Sequence, residues 1–102
     1  MTVTGVAYTN LQCYEKAVEA DPKHASGWFN LGVEGGGTVT GVAYTKLQCY
    51  EKTVEADPKH ANGWGNLGVE GGGTVKGVAY TNLQCYEKAV EVDPKDAGET
   101  PS

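Results

Sequence analysis

The sequence predicts an all-α fold, an α-solenoid of antiparallel helix pairs, and three observations lead to it. Residues 2–37 and 38–73 are identical at all but four of 36 positions, and a third copy begins at residue 74. Within each copy the apolar residues recur at helical spacing. Proline and glycine divide each copy into a long and a short segment. A repeat of this length is typical of arrays in which each unit buries its apolar face against its neighbours.

The long segment of each copy carries an apolar stripe. In the first copy this stripe consists of Ala7, Leu11, Tyr14 and Val18, which step by four, three and four residues. This spacing places them on one face of an α-helix. Pro22 should end that helix near Ala20, because proline lacks an amide donor. Long helices are therefore expected at about residues 5–20, 41–56 and 77–92, with Thr38 or Thr40 as the N-cap of the second.

The short segment predicts a second helix in each full copy, at about residues 24–34 and 60–70. Its apolar side carries Trp28 and Leu31, which are expected in the core together with Trp64. Three consecutive glycines at 35–37 should end it, because each glycine costs about 1 kcal/mol relative to alanine inside a helix. The chain is thus predicted to be one domain, residues 1–102. Its units are 2–37, 38–73 and a truncated 74–97, followed by a tail, 98–102, that is expected to fray.

The composition argues against several classes of partner. The chain has 13 acidic residues, eight basic ones and a net charge of −5, which disfavours nucleic acid and an anionic membrane surface. It has no apolar run long enough to span a bilayer, and its N-terminus lacks the regions of a signal peptide. Cys13, Cys49 and Cys85 recur at the repeat period, and an odd number of cysteines indicates free thiols. A cytoplasmic, reducing location is therefore expected.

The sequence predicts no enzyme, metal site or cofactor. His24 and His60 are expected as exposed turn residues, because the nearest cysteine, Cys13, should lie roughly 15 Å from His24 along the helix. The carboxylates are interpreted as a solubilising surface; they are Glu15 and Glu19 in the first copy and Glu51 and Glu55 in the second. The GGGTVTG segment lacks the lysine and serine of a phosphate-binding loop. No catalytic residue is assigned.

The segments WFNLG and YEKAVEADP resemble the tetratricopeptide repeat, the helix-turn-helix unit of protein-interaction scaffolds. The matching positions are Trp28, Leu31 and Gly32 in the family's first helix, and Ala17 with its equivalents Thr53 and Ala89, Tyr50 and Pro58 in its second. The resemblance implies a right-handed solenoid. The Sel1-like repeat is a close second, since it also has 36-residue units with a glycine-rich loop. Its spacing from the LG pair to the tyrosine is longer, however, and it lacks the DP turn.

Two departures from the family pattern concern the joint between helices. The unit has 36 residues against about 34 in the family, and the extra residues fall in the glycine-threonine segment. Where the family has an aromatic residue three positions after the glycine of its first helix, this chain has Gly35 or Gly71. We hypothesise that Tyr8, Tyr44 and Tyr80 fill the missing volume.

Half of the differences between the first two copies lie where the resemblance implies a binding surface. Two of the four differences between copies one and two, Ser26/Asn62 and Phe29/Gly65, lie on the short helices. In the family this face lines a concave groove that takes extended or helical peptides. The candidate partner-binding residues are Ser26, Phe29, Asn30, Val33, Asn62, Gly65, Asn66 and Val69. Neutral drift at exposed sites explains the differences equally well. Residues 25–37 and 61–73 contain no lysine or arginine, so recognition of acidic peptide tails is not expected.

Two functions remain open at this point. One is a scaffold that binds a protein or peptide on the short helices. The other is a structural array that assembles with copies of itself as a closed dimer, a helix-swapped dimer or a fibre, because the order long-short-long-short-long leaves both ends without a capping helix. Near-identity of the copies indicates recent duplication or design, and it mildly favours the second function.

Overall fold

The structure is a computed structural model that describes residues 8–94 as an α+β array. Helices and short hairpins alternate along the chain. The helices are α1 (Asn10–Ala20), α2 (Ala25–Val33), α3 (Lys46–Ala56), α4 (Ala61–Val69) and α5 (Asn82–Val92). The strands are β1 (Gly36–Val39), β2 (Val42–Thr45), β3 (Gly72–Val75) and β4 (Val78–Thr81), which form two separate antiparallel hairpins.

The prediction of an all-α solenoid of helix pairs is therefore wrong, and so is the description of the chain as a purely helical repeat. The unit is helix, helix and β-hairpin. The second and third long helices begin at residues 46 and 82 instead of 41 and 77, because the hairpins occupy the preceding residues. Their C-terminal ends and the short helices lie within one residue of the prediction. The predicted helical residues 5–7 and the tail 98–102 lie outside the described residues.

The hairpin forms because its sequence suits two strands and a tight turn. Val39 pairs with Val42, and the ladder runs out to Gly36 opposite Thr45. The two turn residues, Thr40 and Gly41, have positive φ values of 50° and 79°, which is the pattern of a type I′ turn. Valine, threonine and tyrosine favour the flanking strands.

A capping box sets where each long helix begins. At the start of α3 the backbone N–H of Gln48 donates to Thr45 Oγ1 at 3.1 Å, and the N–H of Thr45 donates to Gln48 Oε1 at 2.8 Å. Thr9 and Thr81 make the same arrangement ahead of α1 and α5. The N-cap is thus Thr45 and not Thr38 or Thr40, because those two residues lie in the hairpin.

The core lies where each short helix packs between two long ones. Trp28 and Trp64 are buried as predicted, and the indole N–H of Trp64 donates to the carbonyl oxygen of Pro58 at 2.8 Å. The rings of Tyr44 and Tyr80 meet these tryptophans edge-on, with centroids 4.9 and 5.0 Å apart. They fill volume beside the tryptophans from the hairpin strands, whereas Tyr8 is exposed.

Carboxylates of the long helices hold the hairpins in place. Glu15 Oε2 accepts a hydrogen bond from the N–H of Thr38, and Glu51 Oε2 accepts one from the N–H of Thr74, each at 2.7 Å. Glu19 Oε2 also accepts from the N–H of Thr40 at 3.1 Å. The interpretation of these carboxylates as a solubilising surface is therefore incomplete, because three of them bind backbone of the following hairpin.

Replacing Glu51 with alanine is expected to lower the free energy of unfolding by about 1–2 kcal/mol relative to the same change at Glu87, because a charge-assisted hydrogen bond is lost. Glu87 holds the equivalent position in α5, and within residues 8–94 its carboxylate makes no hydrogen bond to hairpin backbone. Helix propensity changes equally in both variants and cancels. Urea denaturation measures the difference, and equal losses in the two variants would contradict this role of Glu51.

Candidate protein-interaction surface

The structure places six of the eight candidate residues in two equivalent rows. Ser26, Asn30 and Val33 form the row on α2, and Asn62, Asn66 and Val69 form the row on α4. The serine, the valines and Asn62 are exposed, while Asn30 and Asn66 are half-buried. Within residues 8–94 the side-chain amides of Asn30 and Asn66 make no hydrogen bond to protein. We call these two rows the short-helix surface.

The remaining two candidates, Phe29 and Gly65, behave differently from each other. The ring of Phe29 lies 5.9 Å from that of Tyr50 and 5.1 Å from that of His60, measured between centroids. Phe29 is therefore partly a packing residue that joins α2 to α3 and to the start of α4. At Gly65 an added Cβ would meet no atom within 4 Å. The second copy thus leaves open the space that Phe29 occupies in the first.

Replacing Gly65 with alanine is expected to raise the free energy of unfolding by about 1 kcal/mol, because alanine is the better helix former and the space is open. The same change at Gly63, in the same helix, is expected to lower it. A Cβ there would lie 2.8 Å from Thr53 Cγ2 and 3.0 Å from Val54 Cγ1, both on buried side chains of α3. Chemical denaturation of the two variants should give opposite signs, and a shared sign would refute this account of α4.

The short-helix surface carries no positive charge of its own. Both short helices end at an acidic C-cap residue, Glu34 and Glu70, and Glu70 pairs with Lys46 of α3 at 3.6 Å. Three other lysines, Lys23, Lys52 and Lys76, line a depression of about 460 Å³ beside the DP turns. These lysines lie outside α2 and α4, and the depression that they line also includes Glu55.

The turn histidines cap the short helices. Nδ1 of His24 accepts a hydrogen bond from the N–H of Gly27 at 2.8 Å, and Nδ1 of His60 accepts one from Gly63 at 2.9 Å. One ring nitrogen of each histidine thus accepts the hydrogen bond that caps the N-terminus of a short helix. In the part of the chain that the structure describes, no group of three or more His, Cys, Asp or Glu side chains could hold a metal ion.

The cysteines differ in their surroundings. Cys13 is exposed, while Cys49 and Cys85 are buried, and all three are free thiols. Burial raises the pKa of the Cys49 thiol to about 11 and also raises the pKa of Cys85. Both buried thiols are therefore protonated at neutral pH, and a protonated buried thiol is a packing group, not a nucleophile.

The described part of the chain is a tandem array of helix-helix-hairpin units that presents an equivalent row of exposed and half-buried residues on each short helix. No helix in it is long and apolar enough to cross a membrane. Comparison with protein-family models, with curated proteins and with solved structures finds no significant match to the chain. The resemblance to the tetratricopeptide repeat therefore stays a prediction that rests on the residues of the repeat.

Proposed function

We propose that the chain is a non-enzymatic protein-interaction scaffold that binds an extended segment or a helix of a partner protein across α2 and α4. The observation that carries this proposal is the repeated short-helix surface. Asn30 and Asn66 hold equivalent positions, each half-exposed and each with an amide group that bonds to no protein atom within residues 8–94. Equivalent positions on successive units suit a ligand that runs along the array.

The chemistry of the surface narrows the class of partner. An asparagine amide both donates and accepts hydrogen bonds, so it can bind the backbone of an extended peptide. Val33 and Val69 add exposed apolar area next to the amides, and the open space at Gly65 can receive a partner side chain. With no lysine or arginine on the surface, the partner should be a neutral or weakly basic peptide, and neither a nucleic acid nor a membrane.

Selection from a random displayed-peptide library tests this function. The selected peptides should bind the chain at least roughly tenfold more weakly when Asn30 and Asn66 are both replaced by alanine. The matched control makes the same double change to alanine at Val42 and Val78, which are exposed residues of the two hairpins. It should leave binding unchanged. Failure to enrich any peptide, or binding that depends on the hairpin valines instead, would overturn the proposal.

Self-association is the second candidate function, and exposed apolar side chains on α5 favour it. Leu83, Tyr86 and Val90 are among the large hydrophobic residues left open to solvent. Light scattering over a concentration series tests self-association: a rise in mean mass supports it, and a constant monomer mass removes it.

The free thiols of the three cysteines suit a reducing compartment such as the cytoplasm, which is the location we propose.

A further inference from the structure

One face of α5 is apolar and uncovered, although the same face of α3 is in the core. Leu83, Tyr86 and Val90 step by three and four residues, so they lie along one side of the helix. Tyr86 is 40% exposed and Val90 is 48% exposed, whereas the equivalent Tyr50 and Val54 of α3 are 3% and 1% exposed. We call these three residues the α5 apolar face.

The repeat itself shows what covers such a face. On α3 the short helix α4 covers Val54, since a Cβ on Gly63 would lie 3.0 Å from Val54 Cγ1. The next residue, Trp64, belongs to the same buried cluster as Val54. The pairing of α1 with α2 repeats this geometry, since a Cβ on Gly27 would lie 2.8 Å from Val18 Cγ1. A glycine-tryptophan pair on a short helix is thus the observed complement of this face, seen twice.

The ring of Tyr50 is covered from the other side, by Gly32 and Phe29 of α2. On α5 the ring of Tyr86 packs against Gly68 in the same way, but Gly65 supplies no ring beside it, so Val90 is the residue that lacks a short-helix cover.

The residues that follow α5 do not provide that complement. In register with the earlier copies, Glu99 stands where Gly63 stands and Thr100 stands where Trp64 stands. A glutamate side chain at the glycine position would need the space that the valine methyl groups fill on α3. Threonine also lacks the ring that completes the buried cluster. The sequence after α5 therefore lacks the glycine-tryptophan pair that packs on α1 and α3.

Helix α1, which packs against α2 within the chain, is nearly identical in sequence to α5. The sequences of α1 and α5 differ only at their last residue, Ala20 against Val92. Glu87 and Glu91 of α5 hold the positions of the two α1 carboxylates that bind the hairpin. The α5 helix of one chain therefore carries nearly all the groups that α1 uses to hold α2 and the hairpin after it.

We propose that the α5 apolar face binds α2 of a second copy of this chain, where α5 takes the place of α1 and continues the array head to tail. This proposal rests on the self-association candidate, because the α2 that binds the α5 apolar face comes from a second copy of the chain. Gly27 and Trp28 of the second copy would meet Val90 as they now meet Val18. Since the exchange replaces one helix by a nearly identical one, the new interface gains few contacts over the old, and association is weak and concentration-dependent.

A synthetic peptide of residues 21–35 provides the probe, because it carries α2 without α1. Added at millimolar concentration to the isotopically labelled full chain, it should shift the NMR signals of Leu83, Tyr86 and Val90 in a saturable manner. Replacing Val90 with lysine should weaken binding at least roughly tenfold. The matched control, Val78→Lys, alters a 52% exposed valine on strand β4 and should leave binding unchanged.

A second peptide distinguishes specific docking from nonspecific hydrophobic binding. With Gly27→Leu in the peptide, the close approach to Val90 is blocked, and the shifts at α5 should disappear. Two outcomes would overturn the proposal: no shift at the α5 apolar face, or equal binding of the Gly27→Leu peptide. The titration reports on the face itself, whereas light scattering reports on assembly of the whole chain, so failures of the two are distinguishable.

Discussion

Replacing Gly72 with alanine is expected to lower the free energy of unfolding by about 4 kcal/mol, the sum of backbone strain and steric overlap. Gly72 has a φ of +96° and opens strand β3 opposite Thr81. A Cβ there would overlap the carbonyl oxygen of Tyr80 and lie 2.9 Å from the carbonyl carbon of Thr81. Both are backbone atoms of the paired strand, so neither can move aside without opening the hairpin.

The neighbouring glycine is the matched control for this effect. Gly71 has a similar φ of +103°, but a Cβ there would meet no atom within 4 Å. Replacing Gly71 with alanine should therefore cost only the backbone strain, about 1–3 kcal/mol. Urea denaturation of both variants measures the difference. If the two substitutions cost the same, the close approach between Gly72 and strand β4 is not part of the folded state.

Replacing Trp64 with alanine is expected to lower the free energy of unfolding by about 4 kcal/mol. Trp64 lies on α4 in one buried cluster with residues of α3, β3 and α5, and its indole N–H donates to the carbonyl oxygen of Pro58 at 2.8 Å. Domains of this size have total stabilities of about 5–15 kcal/mol. The Trp64→Ala variant should therefore have a small free energy of unfolding, and the midpoint of its urea unfolding should lie well below that of the wild type.

Trp64→Phe separates the packing of the ring from the hydrogen bond. Phenylalanine keeps most of the apolar contact but leaves the Pro58 carbonyl without its donor, so a loss of about 1–2 kcal/mol is expected. The midpoint of urea unfolding should fall in the order wild type, Trp64→Phe, Trp64→Ala. If the alanine variant lost less than the phenylalanine variant, tryptophan would not be the central packing residue of the unit.

The sequence was a good guide to the helices, since their signals are local. Proline after the aspartate ends each long helix, and the triple glycine ends each short one, so both kinds of C-terminus were predicted within a residue. Trp28 and Leu31 were expected in the core from their helical spacing, and both are buried. These features depend on residues within one turn of each other.

The hairpin was missed because its sequence also continues the helical pattern. Ala43, the equivalent of Ala7, fits the helical stripe of the following segment but lies on strand β2. The turn is Thr-Gly or Lys-Gly, and not the Asn-Gly that most strongly predicts a type I′ turn. One signal could have placed the helix start correctly: Thr45 with Gln48 three residues later is a capping box, and it recurs in every copy.

The candidate surface was predictable in its position but not in its details. The comparison of the two copies, together with the resemblance to the tetratricopeptide repeat, singled out the rows around Asn30 and Asn66. It could not separate Phe29 from them, because the contact of that ring with Tyr50 and His60 depends on how two units stack. The hairpin role of Glu51 was equally hidden, since its bond to Thr74 spans 23 residues and follows from an element that the sequence did not predict.

The central claim is that each unit is a helix pair followed by a β-hairpin, and an NMR measurement tests it most directly. In the observed register Thr38 faces Ala43 and Thr74 faces Ala79. Each of these is the non-hydrogen-bonded pair next to the hydrogen-bonded pair that closes its turn. In a non-hydrogen-bonded antiparallel pair the Cα atoms approach closely, so the two Hα atoms should give a strong Hα–Hα nuclear Overhauser effect. The account predicts both cross-peaks, with strand-like carbon shifts over residues 42–45. Helical shifts beginning at residue 41, without these cross-peaks, would contradict it.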